Sequence, residues 1–174
     1  MKLARPLIAI VIALALQTTL ARFAARGLTG VDLVLIVVTY LGLTSGPVVG
    51  LLSGTVGGLA QDALASGVVG IGGLASTIVG FLAGIIGTQF IVAQTLPLFF
   101  VFFGATVVHA VVFLGLYTIL GLQQGAIAYG SLALKAVGNA LVGVVLFQLT
   151  SALPGALDRR RSGRGRVRTT RLRG

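Results

Sequence analysis

Residues 31–84 read VDLVLIVVTYLGLTSGPVVGLLSGTVGGLAQDALASGVVGIGGLASTIVGFLAG, and the fold is decided there. One apolar run extends from Val31 to about Leu43 and halts at Thr44-Ser45-Gly46-Pro47. A second runs from Pro47 to about Ala65, and a third opens at Ile71 after a short glycine-containing loop. Proline lacks an N–H and fixes φ, and glycine reaches conformations closed to other residues, so Gly46-Pro47 marks a tight turn between two helices. The second run carries Gly46, Gly50, Gly54 and Gly58 at a spacing of four, followed at the same interval by Asp62. The third carries Gly72, Ser76, Gly80 and Gly84. Small residues at this spacing form a ridge that lets two backbones approach closely where lipid supplies no hydrophobic drive. These two helices are expected to pack against each other along their ridges.

Working outward, the remaining apolar runs are 6–20, 97–120 and 131–153, and the central ones are 31–43, 47–65 and 71–93. A crossing needs about 20 apolar residues, so the expected fold is an all-α membrane protein, a polytopic bundle of about six transmembrane helices within residues 1–155. Composition agrees: mean hydropathy is +1.08, with 56% hydrophobic and 9% charged residues. The first run is read as an uncleaved anchor; the rival reading is a secretory signal, because Ala13-Leu14-Ala15 has the small-x-small form of a cleavage site behind a positive start.

Charge is concentrated at one end. The net charge is +10, yet eight arginines (Arg159, Arg160, Arg161, Arg164, Arg166, Arg168, Arg171 and Arg173) lie in the last stretch. Residues 156–174 read as a disordered basic tail with too few apolar residues to fold alone. With six crossings, Lys2, Arg5 and the tail share one side against Arg22, Arg26 and Lys135, which places both termini in the cytoplasm. The tail arginines are expected to contact anionic lipid. A run of arginine without interleaved aromatics does not read as a nucleic-acid site.

Zero cysteines and one histidine exclude thiol-ligated metal centres, and no metal or other cofactor is expected. Four polar residues inside the apolar runs stand out: Asp62, His109, Lys135 and Asn139. Asp62 either pairs with Lys135, which should lie at a similar depth, or simply caps a helix end or reaches interfacial water. His109 either relays protons or touches a substrate, or is a neutral ring hydrogen-bonded to a neighbouring helix. Asn139 shares a stripe with Lys135 and Gly143 and can donate hydrogen bonds between helices. No second carboxylate is positioned with Asp62 for acid–base catalysis, so no catalytic residue is assigned.

The 31–84 block resembles the core of the rod shape-determining protein MreD family: Asp32 opening a helix, the Gly46-Pro47 turn, a glycine-rich helix ending in Gln61-Asp62, and the loop at Gly70. The resemblance implies a non-enzymatic protein of the bacterial inner membrane, active in lateral cell-wall synthesis. Its implied partners are MreC first, then the actin-like MreB, the glycosyltransferase RodA and its elongation transpeptidase. That family's fold is also similar to the substrate-binding subunits of energy-coupling-factor transporters. The alternative expectation is therefore a membrane subunit that binds a vitamin-type small molecule.

Overall fold

The computed structural model describes residues 4–23, 30–65, 68–89, 94–122 and 129–169, with side chains for 6–20, 30–65, 68–89, 94–122 and 130–152. Among these the regular structure is helical: α1 (Ala4–Phe23), α2 (Leu33–Ser45), α3 (Pro47–Leu64), α4 (Ile71–Gln89), α5 (Thr95–Ile119) and α6 (Tyr129–Thr169). Three segments are long and apolar enough to cross a membrane: Ile71–Gln89, Thr95–Ile119 and Gly130–Ala152. Pro6–Leu20 and Leu33–Ser45 are apolar but shorter. Gln61 and Asp62, in the last turns of α3, lower that helix's hydropathy.

The short helix is the central one. α2 touches each of the other five, and Val34, Leu35, Ile36, Val38, Thr39, Leu41 and Gly42 are all buried, so apolar residues occupy every face. A helix apolar all round is stable only when surrounded, and here protein does the surrounding. On one side Val34 and Val38 meet Ala13 of α1; on another Ile36 packs with Leu98, Phe102, Ala140 and Val144 of α5 and α6. Gln17 of α1 accepts the Val34 N–H at 3.1 Å, satisfying one of the free donors that begin every helix.

Gly46 makes the α2–α3 turn. At φ 92° and ψ 175° it is both the C-cap of α2 and the residue before Pro47, which stands at the start of α3. A side chain there would be strained, and the extended ψ is what a following proline requires. Its N–H still donates to the Gly42 carbonyl at 2.9 Å.

α3 and α4 then lie backbone to backbone. A Cβ on Gly54 or Gly58 would fall 2.8 Å from the Thr77 Cα or 2.7 Å from the Gly73 Cα, and one on Gly50 or Gly80 would strike the other's carbonyl. Gly84 lies against Pro47 and Gly46 in the same way. Gly87, which is off the four-residue ridge, is equally tight against Leu43 of α2. The seam includes one polar pair, Thr55 and Thr77, whose hydroxyls are 2.9 Å apart. Ser76 Oγ is buried in it with no hydrogen-bond partner among the described residues.

The helical backbone of α6 continues past its apolar part to Thr169. Arginine is a good helix former, and extending an existing helix is far easier than starting one.

Candidate functional site

Between Gly27 and Leu157 the sequence contains only four Asp, Glu, Lys, Arg or His residues: Asp32, Asp62, His109 and Lys135. All four line one cavity of about 450 Å³. It forms because α3 makes no close approach to α5 or α6, so the end of α3 and start of α4 stand apart from α5 and the first turns of α6. The N-terminal end of α2 contributes Asp32 to its wall.

Asp32 is the organising group. Its carboxylate accepts the Leu35 N–H at 3.1 Å as N-cap of α2 and the Gln61 side-chain amide at 3.2 Å, while Lys135 Nζ lies 3.5 Å from its other oxygen. Its own backbone N–H donates to Asn139 Oδ1 at 2.8 Å. Asn139 in turn donates to Thr106 Oγ1 at 3.1 Å, and that hydroxyl donates to the Phe102 carbonyl at 3.1 Å. Asp32, Asn139 and Thr106 are each at most 3% exposed. This chain ties α2, α3, α5 and α6 together at one depth, and a buried carboxylate is tolerable only with such a set of donors. Gly143, one turn beyond Asn139, leaves room for the Phe102 ring, which a Cβ there would meet at 2.5 Å.

Lys135 therefore pairs with Asp32 and not with Asp62, which is one of the readings the sequence leaves open. Equal depth does not make two residues neighbours, and Asp62 is engaged on the other side of the cleft. One of its oxygens accepts the N–H groups of Gly70 and Gly73 at 2.8 and 3.0 Å, which closes the loop and caps the start of α4. An anionic group at that position also meets the positive end of the helix dipole. Its second oxygen lies against Gly72, where a Cβ could not fit.

His109 projects from α5 and stacks on Phe113, their ring centroids 6.0 Å apart; Phe113 meets Tyr117 at 4.7 Å. Neither imidazole nitrogen has a hydrogen-bond partner among the described residues, so the expected bond to a neighbouring helix is not formed. The ring faces the cavity instead.

Of the glycine-ridge residues, Gly46 forms the turn, Gly50, Gly54, Gly58, Gly80 and Gly84 form the α3–α4 seam, Gly72 backs the Asp62 carboxylate, and Ser76 is buried beside Gly54 and Gly58. The side chains of Arg159, Arg160, Arg161, Arg164, Arg166 and Arg168, and the whole of Arg171 and Arg173, lie outside the described residues, as does Arg26. Gln17 and Gln61 are structural polar groups the sequence reading left without a role; an amide inside an apolar helix is the signal that marks them.

A second, apolar groove of about 290 Å³ runs between α4 and α5, lined by small residues such as Ala83, Gly104 and Ala105 together with Val79, Phe100 and Val108.

Comparison with known proteins gives one family. No curated protein and no solved structure matches the chain. The family model described as rod shape-determining protein MreD matches residues 2–153, the whole apolar bundle. The chain therefore belongs to the MreD family, a family of membrane proteins of rod-shape determination.

Proposed function

We propose that the protein is a non-enzymatic scaffold of the cell-elongation machinery that holds the single membrane span of MreC against its side, and through MreC the wall synthases RodA and its transpeptidase. The observation that carries this reading is the family match over the entire bundle. The fold supports it. The glycine seam between α3 and α4 is filled by the pair itself, so a partner's helix must use another face. The groove between α4 and α5 is apolar and has small residues at Ala83, Gly104 and Ala105, which is what close helix approach in lipid uses.

In this reading the bundle crosses the bacterial inner membrane six times with both termini in the cytoplasm. The short α2 spans only about 20 Å of the roughly 30 Å hydrocarbon layer. It can do so because its neighbours, rather than lipid, surround it. The tail arginines keep the cytoplasmic end at the anionic inner leaflet.

Co-purification tests the docking. Gly104→Leu fills the α4–α5 groove and should abolish recovery of MreC while thermal melting in detergent stays unchanged. Recovery of MreC at the normal level would contradict this face.

The polar cavity favours a second reading, a substrate-binding subunit of a vitamin-type transporter, since aromatic and charged groups line a space large enough for a small molecule. Recovery of an ATPase module with its coupling subunit in the same pull-down would support it over the scaffold.

A further inference from the structure

The cavity's unpaired groups carry a ligand preference of their own. Two carboxylates and one ammonium line it, and with the imidazole neutral this leaves a formal charge of −1. Lys135 is already held 3.5 Å from Asp32, so the excess negative charge belongs to Asp62 on the opposite wall. Among the described residues, one Asp62 oxygen, both nitrogens of His109 and the Tyr117 hydroxyl have no hydrogen-bond partner. The Asp62 oxygen, the unprotonated imidazole nitrogen and the phenol oxygen can each accept a hydrogen bond. The His109, Phe113 and Tyr117 rings, the first two stacked and the last tilted at 35° to its neighbour along α5, line the same space.

A carboxylate, further acceptors and a row of aromatic faces form the environment that stabilises an ammonium group, by charge, hydrogen bonding and cation–π attraction together. An anion would meet the unpaired Asp62 carboxylate and would have to compete with Asp32 for Lys135.

We infer that this cavity binds a small primary-ammonium group, supplied either by an aminoalcohol phospholipid headgroup or by a free amine. Asp62 provides the countercharge, and His109, Phe113 and Tyr117 the acceptor and aromatic wall. The site is independent of the α4–α5 groove, so its failure would leave the docking proposal standing.

The full-length protein, purified in detergent, is titrated with phosphatidylethanolamine, with phosphatidylglycerol and with ethanolamine, followed by native mass spectrometry and thermal shift. Phosphatidylethanolamine should bind and raise the melting temperature, and phosphatidylglycerol should not. Binding of free ethanolamine as well identifies the ammonium alone as sufficient; binding of the phospholipid only identifies the lipid as the source. Asp62→Asn keeps an acceptor for the Gly70 and Gly73 N–H groups while removing the charge, and should weaken binding by about tenfold or more. The double variant Phe113→Leu with Tyr117→Leu, which leaves every charge in place, should weaken it as well. Equal binding of the two phospholipids, no binding of either ammonium compound, or unchanged affinity in a folded Asp62→Asn protein would overturn the inference.

Discussion

The Lys135 ammonium lies 3.5 Å from the Asp32 carboxylate, joining the start of α6 to the cap of α2 at the edge of the polar cavity. The Asp32 side chain is 4% exposed in this pair and the Lys135 side chain 36%, so the two ends are not equivalent. Removing the lysine leaves a buried carboxylate with only the Leu35 N–H and the Gln61 amide. Lys135→Met should destabilise the bundle by about 1–3 kcal/mol, less than for a fully enclosed pair because water screens the exposed end. Asp32→Asn with Lys135→Met should cost less than the sum of the single changes, since the second removes the charge the first left unpaired. Thermal melting of the three variants in one detergent measures both statements.

The α3–α4 seam gives a contrast between glycines. A Cβ on Gly80 would strike the Gly50 carbonyl, whereas one on Gly115 meets nothing within 4 Å. Gly80→Ala should destabilise by about 1–3 kcal/mol through overpacking, while Gly115→Ala should be neutral or stabilising by up to about 1 kcal/mol through helix propensity. Gly54→Leu with Gly58→Leu should separate the two helices and lose the partner complex with them. Melting curves and co-purification of MreC read these effects.

Ser76 supplies the opposite sign. Its hydroxyl is buried in the seam without a hydrogen-bond partner among the described residues, so Ser76→Ala removes an unsatisfied polar group and leaves the packing in place. The variant should be more stable by about 1 kcal/mol in the same melting assay.

Deleting residues 159–174 should leave the melting temperature of the bundle unchanged, since the buried core of the described residues runs from Ile10 to Val144. Trypsin should remove the basic tail from inside-out vesicles and spare it in intact spheroplasts. Cleavage in the spheroplasts would reverse the assigned orientation.

The sequence shows most plainly what depends on neighbours in the chain. Gly46-Pro47 announces the α2–α3 turn because the backbone there needs a positive φ followed by a proline, and both requirements are written in adjacent residues. The glycine ridges of α3 and α4 are legible because their spacing matches a helical face. Lateral neighbours are not legible in this way. Hydropathy gives Asp62 and Lys135 a shared depth, but whether they meet depends on how far α3 stands from α6, and the intervening space is the cavity. The pairing of Lys135 with Asp32 and the Asn139 bridge from Thr106 to the Asp32 N–H follow from the central position of α2. Its sequence gives no hint that it touches all five other helices.

The docking proposal is tested most directly by photocrosslinking in native membranes, with the crosslinking amino acid at Phe100, an exposed residue lining the α4–α5 groove, and at Leu134, an exposed residue of α6 outside it. The scaffold account predicts an adduct with the membrane span of MreC from position 100 and none from position 134. No MreC adduct from position 100, with a transporter coupling subunit captured in its place, would contradict it.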